Sequence, residues 1–309
     1  MREKAITAGL RVDVDTLRGT RMGAANLLAL FRRYGIRATF FFSMGPDNMG
    51  RHLLRLLHPA FFAKMVRTRA VALYGPDILF KGTLWPGPII GRKGAESIRK
   101  SVKAGHEIGL HCWDHHRWQT RIHRLTSREI GLDTHRALTM LQELVKQPVT
   151  CMAAPAWRIT AAALADRSDR NLLYCSDCRG RSIFLPNLEG RIFRPPQIPT
   201  TLPTCDELLG RGGITPHTYN NHLLDLFRPG RLNVLTIHAE VEGMAFFSLF
   251  QDFLNQAEKR RICFVPLGEL LRREENDITT SALLRCKISG RQGWVSCQGP
   301  LPPPRDGGW

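Results

Sequence analysis

Short apolar runs alternate with helical patterns along most of this chain, and that alternation limits the folds it can adopt. The apolar runs predict strands at residues 8–13, 38–43, 107–111, 149–154, 172–175, 192–193, 232–237 and 262–264. The helical patterns fall between them, at residues 22–34, 95–104, 126–146, 160–165, 245–260 and 266–275. Strands that alternate with helices pair in parallel through right-handed crossovers. About seven such strands predict an α/β fold, and they favour an irregular (β/α) barrel over a doubly wound sheet.

Turn and capping residues divide the chain further. Gly35 is typical of a helix C-terminal cap, and Thr126-Ser-Arg-Glu129 is a capping-box pattern at a helix start. Four prolines exclude a central strand at residues 195–203, which we predict to be a loop over the site. We predict one domain over residues 1–275, with an insertion at about 45–94. Residues 276–309 form a C-terminal extension with a disordered end.

The insertion contains a basic amphipathic pattern. Apolar residues recur at helical spacing from residue 49 to 71, and residues 48–76 contain no acidic side chain. Two interpretations remain: a core-facing helix with a solvated basic side, or a helix that lies on an anionic lipid surface. The basic residues concerned are Arg51, Arg55, Lys64, Arg67 and Arg69.

The net charge of +17 is unusual, with 44 Lys and Arg against 27 Asp and Glu. Such a charge predicts a polyanionic partner, either nucleic acid or an anionic membrane face, unless it only solvates the surface of a stable enzyme. Nucleic-acid binding would place aromatic residues among the basic ones, whereas the insertion clusters Leu and Phe on one helix face. We therefore predict an anionic membrane surface as partner and no nucleic acid. No run of the sequence approaches the ~18 apolar residues of a spanning helix.

The eight cysteines are scattered, and the chain opens without an apolar signal core. We therefore predict a reducing cytoplasmic compartment. Cys175 and Cys178 have zinc-site spacing, but the sequence contains no second such pair to complete a four-cysteine site. The cysteines are predicted to be small buried hydrophobic residues.

Polar residues stand at the carboxyl ends of several predicted strands, where a parallel barrel carries its chemistry. They are Asp13, Asp15, His111, Asp177 and His238. Their position predicts one shared site.

The residue types in this set indicate a metal-dependent hydrolase. Two imidazoles four residues apart, His111 and His115, can bind one divalent metal if a carboxylate joins them. Such a site leaves a coordination position for water and substrate. Asp13 and Asp15 lie on the same side of an extended chain, so one can be a ligand and the other a base, while His238 suits a general acid. The alternatives are an acidic turn for the aspartates and a core histidine for His238.

The order of these motifs resembles the polysaccharide deacetylase (NodB-type) family. The motifs are Asp13-Val-Asp15, His111-x-x-x-His115, Ala153-Ala-Pro155, Ser176-Asp177 and Leu235-Thr-Ile-His238. Longer strings, such as Ile237-His-Ala-Glu-Val-Glu-Gly243, resemble the branch of that family that deformylates an amino sugar carried on undecaprenyl phosphate. The resemblance covers about residues 9–298.

This resemblance implies a distorted seven-stranded (β/α) barrel of the deacetylase type, with the basic insertion added to it. It also implies that Asp13 is the general base and His238 the general acid. The metal ligands would be Asp15, His111 and His115.

One departure from the family pattern concerns a supporting arginine. The family usually has an arginine two residues before the proline of its third motif, where this chain has Ala153. We predict that Arg158 supplies that charge and that Asp177, in the fourth motif, orients its neighbours. Trp113, Glu240 and residues 195–204 are candidates for sugar contact, with packing as the alternative.

The predicted function is removal of the formyl group from undecaprenyl-phosphate-linked 4-deoxy-4-formamido-L-arabinose. The product would serve lipid A modification and resistance to cationic antimicrobial peptides, at the cytoplasmic face of the bacterial inner membrane. The cofactor would be one divalent metal ion, zinc or another transition metal such as cobalt or manganese. The alternatives are an N-deacetylase of another glycan or lipid-linked sugar and, more distantly, a non-catalytic basic binding protein. The sequence leaves the native metal and the oligomeric state open.

Overall fold

Two β-sheets form the framework of the molecule. The structure is a computed structural model that describes residues 5–51, 87–274 and 278–300. Its strands are β1 (Ile6–Val14), β2 (Thr39–Ser43), β3 (Glu107–Cys112), β4 (Cys151–Met152), β5 (Tyr174–Cys175), β6 (Phe184–Leu188), β7 (Arg191–Ile192), β8 (Val234–His238), β9 (Ile262–Val265), β10 (Thr279–Cys286) and β11 (Val295–Gln298). The larger sheet has the order β5-β4-β3-β2-β1-β8, and β9 pairs with the start of β1.

Helices connect these strands within the described residues. They are α1 (Ala24–Tyr34), α2 (Ile90–Lys93), α3 (Ala95–Lys103), α4 (His115–Arg121), α5 (Ser127–Val145), α6 (Ala161–Ser168), α7 (Cys205–Leu208), α8 (Pro216–Leu224), α9 (Phe247–Lys259) and α10 (Leu267–Glu274). Single π-helical turns occupy Gly19–Gly23 and Val241–Ala245. The predicted caps are confirmed: Gly35 ends α1 with a φ of 63°, and Thr126 opens α5 in a capping box.

The predicted α/β fold is confirmed, because seven of the predicted strands form one curled sheet whose pairs are all parallel, while the short strand predicted at 192–193 lies in the second sheet. Helices cover both faces of the sheet, as the side chains of strand β2 show. Phe40 and Phe42 pack in a cluster with Phe31 of α1, whereas Phe41 packs with Leu267 of α10. A strand that is buried on both faces reads as a continuous apolar run, as residues 38–43 do.

The proline-rich segment closes the curled sheet. The N–H of Ile198 donates to the carbonyl oxygen of Cys175 in β5, at 2.7 Å. On the other side, the N–H groups of Thr201 and Leu202 donate to the carbonyl oxygen of Val234 in β8, at 3.2 and 3.1 Å. The sequence predicts a loop over the site at residues 195–203. The segment is instead part of the barrel wall, because it hydrogen-bonds to both sheet edges.

A second sheet, with the order β11-β10-β6-β7, packs beside the barrel. Strands β10 and β11, with the loop that joins them, form the C-terminal hairpin (residues 279–298), where the sequence analysis assigned no strand. The reason is the exposure of β10, in which Leu283 is the one fully buried residue of eight. An edge strand of this kind shows no apolar periodicity. The division at residue 276 stays a prediction.

The cysteines only partly follow the prediction. Five of the six free cysteines are buried, and Cys263 is exposed. Cys286 and Cys297, however, form a disulfide that cross-links β10 to β11. The expectation of free buried cysteines is therefore wrong for this pair, because antiparallel pairing brings the two residues together at the hairpin, and it is also wrong for the exposed Cys263.

The predicted basic helix of the insertion lies largely outside the described residues, which stop at Arg51 and resume at Gly87. The two described ends of the insertion lie together beside β2. The N–H of Asp47 donates to Pro88 O at 3.0 Å, and Asp47 Oδ2 accepts from the N–H of Leu17 at 2.9 Å. The insertion thus leaves the barrel next to the loop that follows β1. Among the described helices, none is long and apolar enough to cross a membrane.

Candidate metal and catalytic site

The structure brings five of the predicted site residues together at the carboxyl ends of the strands. Asp13 of β1 and His238 of β8 are register partners on adjacent parallel strands. His111 lies near the end of β3, and His115 opens α4 immediately after it. Asp15 follows β1. Four of the five strand-end residues that predict one shared site therefore lie together, whereas Asp177 contacts Gln197 and Arg167.

Asp15, His111 and His115 form a buried cluster suited to a metal ion. Their donor atoms all lie within 4.8 Å of one another. The Nε2 atoms of the two histidines each lie 3.3 Å from an oxygen of Asp15. Nδ1 of His111 lies 2.8 Å from the carbonyl oxygen of Ala153, which fixes the ring with Nε2 towards the carboxylate. Two imidazoles and one carboxylate are the donor set of a catalytic divalent site with open positions.

The protonation states of this cluster also suit a cation. Burial raises the pKa of Asp15, but His115 and His111 lower it by more, so the pKa lies below its ordinary value. Burial lowers the pKa of His115 to about 4, which leaves its imidazole neutral near pH 7. Asp15 Oδ1 is buried and has no hydrogen-bond partner among the described residues. An ionised carboxylate and a neutral imidazole are the forms that bind a metal, so the residues present fit one divalent ion.

Arg11 holds the carboxylate of Asp13 in a fixed orientation. This fully buried arginine donates from Nε to Oδ1 and from Nη2 to Oδ2 of Asp13, both at 2.7 Å. Its Nη1 donates to the carbonyl oxygen of Ser176 and, at 3.1 Å, to Oγ of the same residue. The guanidinium also lies 5.4 and 5.3 Å from the ring centroids of Phe41 and Trp157. Burial raises the pKa of Asp13, but Arg11, His111 and His238 together lower it by more, so the pKa lies below its ordinary value.

The prediction that Arg158 supplies this charge is wrong. Its guanidinium donates to the carbonyl oxygens of Gln119, Trp294 and Gln292, the last two at 2.9 and 2.6 Å. Arg158 thus connects the C-terminal hairpin to α4 through hydrogen bonds to backbone carbonyls of both. The arginine that holds Asp13 is Arg11, which lies on the same strand.

The backbone N–H of His238 is hydrogen-bonded to the buried side chain of Glu242. Its N–H donates to Oε2 of Glu242 at 2.8 Å. Burial raises the pKa of Glu242 to about 7, although the neighbouring His238 opposes that rise. The side chain of His238 is half-buried at the end of β8, close enough to Asp13 and Asp15 to lower the pKa of both carboxyls.

Glu240 supports the loop that carries Asp15. Its Oε1 accepts from the N–H of Asp15 at 3.0 Å, and from the N–H and Oγ1 of Thr16 at 2.8 Å. The loop passes so close that a Cβ on Gly19 would lie 1.8 Å from this oxygen. Burial, and then the charge of Asp15, raises the pKa of Glu240 to about 8. These contacts favour the supporting role predicted for Glu240 over sugar contact.

Trp113 and Asp177 also have partners away from the metal cluster. Trp113 is 7% exposed, and the guanidinium of Arg136 lies 4.0 Å from its ring centroid, which favours packing over sugar contact. The N–H of Asp177 donates to Oε1 of Gln197 at 2.8 Å, and its carboxylate lies 3.6 Å from Nε of Arg167. These contacts agree with the predicted role of Asp177 in orienting its neighbours, which stays a prediction.

Two residues at the site had no role in the sequence analysis. Arg11 stands two positions before Asp13, and alternation along a strand places both on one face, so the spacing itself carries a signal for the pair. Trp157 is different, because its placement depends on the backbone. Its φ is 52° and that of Ala156 is 54°. Two successive left-handed residues that are not glycine leave no trace in an apolar pattern.

Comparison with known proteins agrees with this geometry. The family model described as polysaccharide deacetylase matches residues 12–174. A protein of Shewanella sediminis (strain HAW-EB3), named "Probable 4-deoxy-4-formamido-L-arabinose-phosphoundecaprenol deformylase ArnD", is 50% identical over 290 residues, covering 94% of each chain. A protein of the same name from Wigglesworthia glossinidia brevipalpis is 40% identical over 282 residues, which are 91% of this chain and 98% of that one.

Solved structures share the fold. A crystal structure from Mycobacterium smegmatis, assigned to the polysaccharide deacetylases, has a TM-score of 0.60 at 13% identity and covers 93% of this chain and 97% of its own. The Xyl-CE4 domain of a xylanase from the hindgut metagenome of Trinervitermes trinervoides has a TM-score of 0.52 at 10% identity, over 93% and 98%. Because the family match runs from β1 to β5 and relatives at 40–50% identity span almost the whole chain, this chain belongs to the polysaccharide deacetylase family.

Proposed function

We propose that this protein is a metal-dependent hydrolase that removes the formyl group from 4-deoxy-4-formamido-L-arabinose carried on undecaprenyl phosphate. The products are formate and a free amino sugar on the same lipid, for the modification of lipid A. The observation that carries the proposal is the buried cluster of Asp15, His111 and His115, with Asp13 and His238 beside it. The choice of substrate is supported by the 50% identity to the named deformylase over 94% of both chains.

The reaction adds water to the formyl carbon and breaks the carbon–nitrogen bond of the amide. Asp15, His111 and His115 would hold the divalent metal, which would supply Lewis acidity to the formyl oxygen and to the attacking water. Asp13 takes the proton that the attacking water loses, because its lowered pKa keeps it ionised. His238 donates a proton to the departing nitrogen, so the sugar leaves as an amine.

Arg11 makes Asp13 suitable for this role. A carboxylate that is gripped through both oxygens cannot rotate away, and placement of a catalytic group is worth a large part of the rate. The Arg11 Nη1 bonds to Ser176 fix the arginine in turn. The base therefore faces the reacting centre before substrate arrives.

The lipid substrate places the protein at a membrane in this proposal. An undecaprenyl chain lies in the bilayer, so the enzyme has to bind at the surface, which we assign to the cytoplasmic face of the inner membrane. The insertion begins and ends beside the loop after β1, so its basic segment would meet lipid next to the site mouth. Replacing Arg55, Lys64 and Arg67 by Gln should weaken sedimentation with anionic liposomes. Unchanged sedimentation would remove this surface from the proposal.

The decisive experiment is mass spectrometry of a synthetic lipid-linked formamido sugar before and after incubation with the metal-loaded protein. We expect a product lighter by the mass of one carbon and one oxygen, because a hydrogen replaces the formyl group, and formate in the solution. His111→Ala should lose both the bound metal and the product, whereas Arg285→Ala, on the exposed side of the C-terminal hairpin, should lose neither. A full yield of product with metal-free His111→Ala would refute the mechanism.

Deacetylation of a related sugar is the second candidate, because the family model that matches is that of the deacetylases. The acetyl group adds one methyl, and an open pocket separates the two substrates by only about 1–3 kcal/mol. Deformylation is therefore expected to be selective only if the wall beside the metal cluster is tight. A preference for the acetylated substrate in a matched pair would replace deformylase by deacetylase.

A further inference from the structure

Trp157 lies among three arginines. The guanidinium carbons of Arg11, Arg179 and Arg291 lie 5.3, 5.0 and 4.1 Å from its ring centroid. The indole is 1% exposed, and its Nε1–H donates to Thr200 Oγ1 at 2.9 Å. One aromatic side chain thus connects the arginine that holds Asp13 to two arginines outside the metal cluster.

The backbone of Trp157 has an unfavourable conformation. Ala156 and Trp157 both have a φ above 50°, the left-handed region that side chains with a Cβ rarely adopt. Such a conformation costs on the order of 1–3 kcal/mol per residue and persists only where the surroundings enforce it. Contacts of the indole are therefore what keep the ring in place.

Arg291 is the nearest of these contacts, and it comes from the C-terminal hairpin. Its Nε donates to Oε1 of Glu207, and its Nη2 donates to Thr204 Oγ1 at 3.0 Å and lies 3.3 Å from Asp206 Oδ1. The same oxygen of Glu207 accepts from Nη1 of Arg179 at 3.1 Å. These bonds fix the guanidinium planes against the indole, so the ring cannot turn away without breaking them.

The hairpin is itself anchored at this point. Ile288, Val295 and Cys297 pack with Trp157 in one apolar cluster. Ser296 contributes polar contacts, because its carbonyl oxygen accepts from the N–H of Arg179 at 2.9 Å and its Oγ accepts from the N–H of Ile159 at 3.2 Å. The hairpin therefore presents Arg291 to the indole in a defined position.

We propose that Arg291 is a positioning residue for the reaction: it fixes the indole of Trp157, which packs against Arg11 and so maintains the bidentate grip of Arg11 on Asp13. The inference rests on the proposed role of Asp13 as base. Arg291 contacts neither the metal cluster nor any group that takes part in proton transfer. Burial lowers the pKa of Arg291, but acidic groups raise it by more, and the charge of Asp13 is among them. The charge of Asp13 thus acts on Arg291, which agrees with the packing of Arg291 and Arg11 on the same indole ring.

The test compares substitutions on two arginines of one hairpin. Arg291→Met keeps an apolar stem on the indole without the planar fork, and Arg291→Lys keeps the charge. Arg285 is the matched control, because it also stacks on a tryptophan, with its guanidinium 4.6 Å from the ring centroid of Trp294, away from the site. For Arg291→Met we expect kcat to fall about tenfold with KM and metal content unchanged, because a displaced base lowers turnover without weakening binding. Arg291→Lys should recover part of kcat, and Arg285→Ala should equal the unmodified protein.

The possible results separate the proposal from its premise. If kcat of folded Arg291→Met stays within about twofold of the unmodified protein while Asp13→Asn is inactive, Arg291 has only a structural role and the inference fails. If Asp13→Asn is fully active, the proposed mechanism fails first. If Arg291→Met does not fold, the Lys variant decides, since full kcat without the planar fork would contradict positioning through the stack.

Discussion

Two fully buried arginine–aspartate pairs serve the barrel differently. Arg11 grips Asp13 through two hydrogen bonds of 2.7 Å. Arg167 and Asp177 approach only to 3.6 Å. Each arginine also lies beside a tryptophan, with its guanidinium carbon 5.3 Å from the ring centroid in both cases. Composition and burial are therefore the same, and the hydrogen bonds differ.

The difference shows what a buried ion pair can do. The Arg11 nitrogens donate to Asp13 and Ser176, whereas none of the three guanidinium nitrogens of Arg167 has a hydrogen-bond partner among the described residues. Arg167 instead lines a cavity of about 10 Å³, which is close to the room that one water needs. A fully bonded pair fixes the direction of its carboxylate. A loosely bonded pair neutralises charge, and desolvation can cancel most of its gain.

The largest expected effect comes from the two aspartates. Asp13→Asn should lose about 10²–10⁴-fold in turnover at full metal content, because the amide cannot take a proton. Asp177→Asn should retain most of the turnover, because Asp177 contacts Gln197 and Arg167 rather than the metal cluster. Initial rates and metal per chain, measured on both variants, test this contrast. Equal losses in the two would remove the distinction between the pairs.

Removing the first arginine should have the next largest effect. Arg11→Met leaves Asp13 buried without its bidentate partner, and breaking a buried pair from one side costs about 3–5 kcal/mol. We expect the free energy of unfolding to fall by about that amount in urea titrations. Turnover of the folded fraction should fall about 10²-fold, because the base is no longer held in place. Arg158→Met is the control, since the sequence assigned the same role to Arg158, and it should keep its turnover.

Regular elements were predictable here because their cause is local. Strand β2 (Thr39–Ser43) forms because the run is mostly β-branched or aromatic, and α5 begins at its capping box. Asp15, His111 and His115 were also accessible, since their spacing and strand-end positions are properties of the sequence. The same holds in principle for Arg11, which alternation places on the face of Asp13.

What the sequence could not predict depends on distant partners. The segment at residues 196–202 closes the barrel by bonding to β5 and β8, which its prolines do not suggest. Strand β10 is mostly exposed and is held by pairing with β6 and β11, so its own pattern is uninformative. For Arg158 the sequence predicted a contact that the structure does not contain. A charged residue three positions after a motif says nothing about the direction of its side chain.

A third buried acid sharpens the comparison by responding to pH. Burial raises the pKa of Glu242 to about 7, whereas Arg11 keeps that of Asp13 low. Below pH 4.5 the folded and unfolded forms both carry the Glu242 proton. Between pH 4.5 and about 7 only the folded form keeps it, so this group lowers the stability as pH rises, by about 3 kcal/mol in total.

Glu242→Gln should remove that pH-dependent loss. The amide oxygen can still accept from the N–H of His238, and the side chain no longer ionises. Urea unfolding at pH 8 should show a gain of up to about 3 kcal/mol over the unmodified protein, and at pH 4.5 the two should agree. A constant difference at both values would mean that ionisation of Glu242 is not its cause.

The smallest effect is expected from replacing the loosely bonded pair as a whole. Arg167→Met combined with Asp177→Asn keeps the volume of the side chains and a contact to the Trp118 ring, while the amide oxygen introduced at position 177 can still accept from Gln197 Nε2. Exchange of a buried ion pair for uncharged groups of similar shape is often neutral or stabilising. We therefore expect the free energy of unfolding to change by less than about 1 kcal/mol, because the lost attraction at 3.6 Å is offset by three donors that no longer need solvation.

Turnover should stay within about twofold of the unmodified protein, since neither residue touches Asp13 or the metal cluster. A tenfold loss of turnover at unchanged stability would instead connect Arg167 to the site through His111, which lines the same cavity, and the contrast between the two pairs would fail.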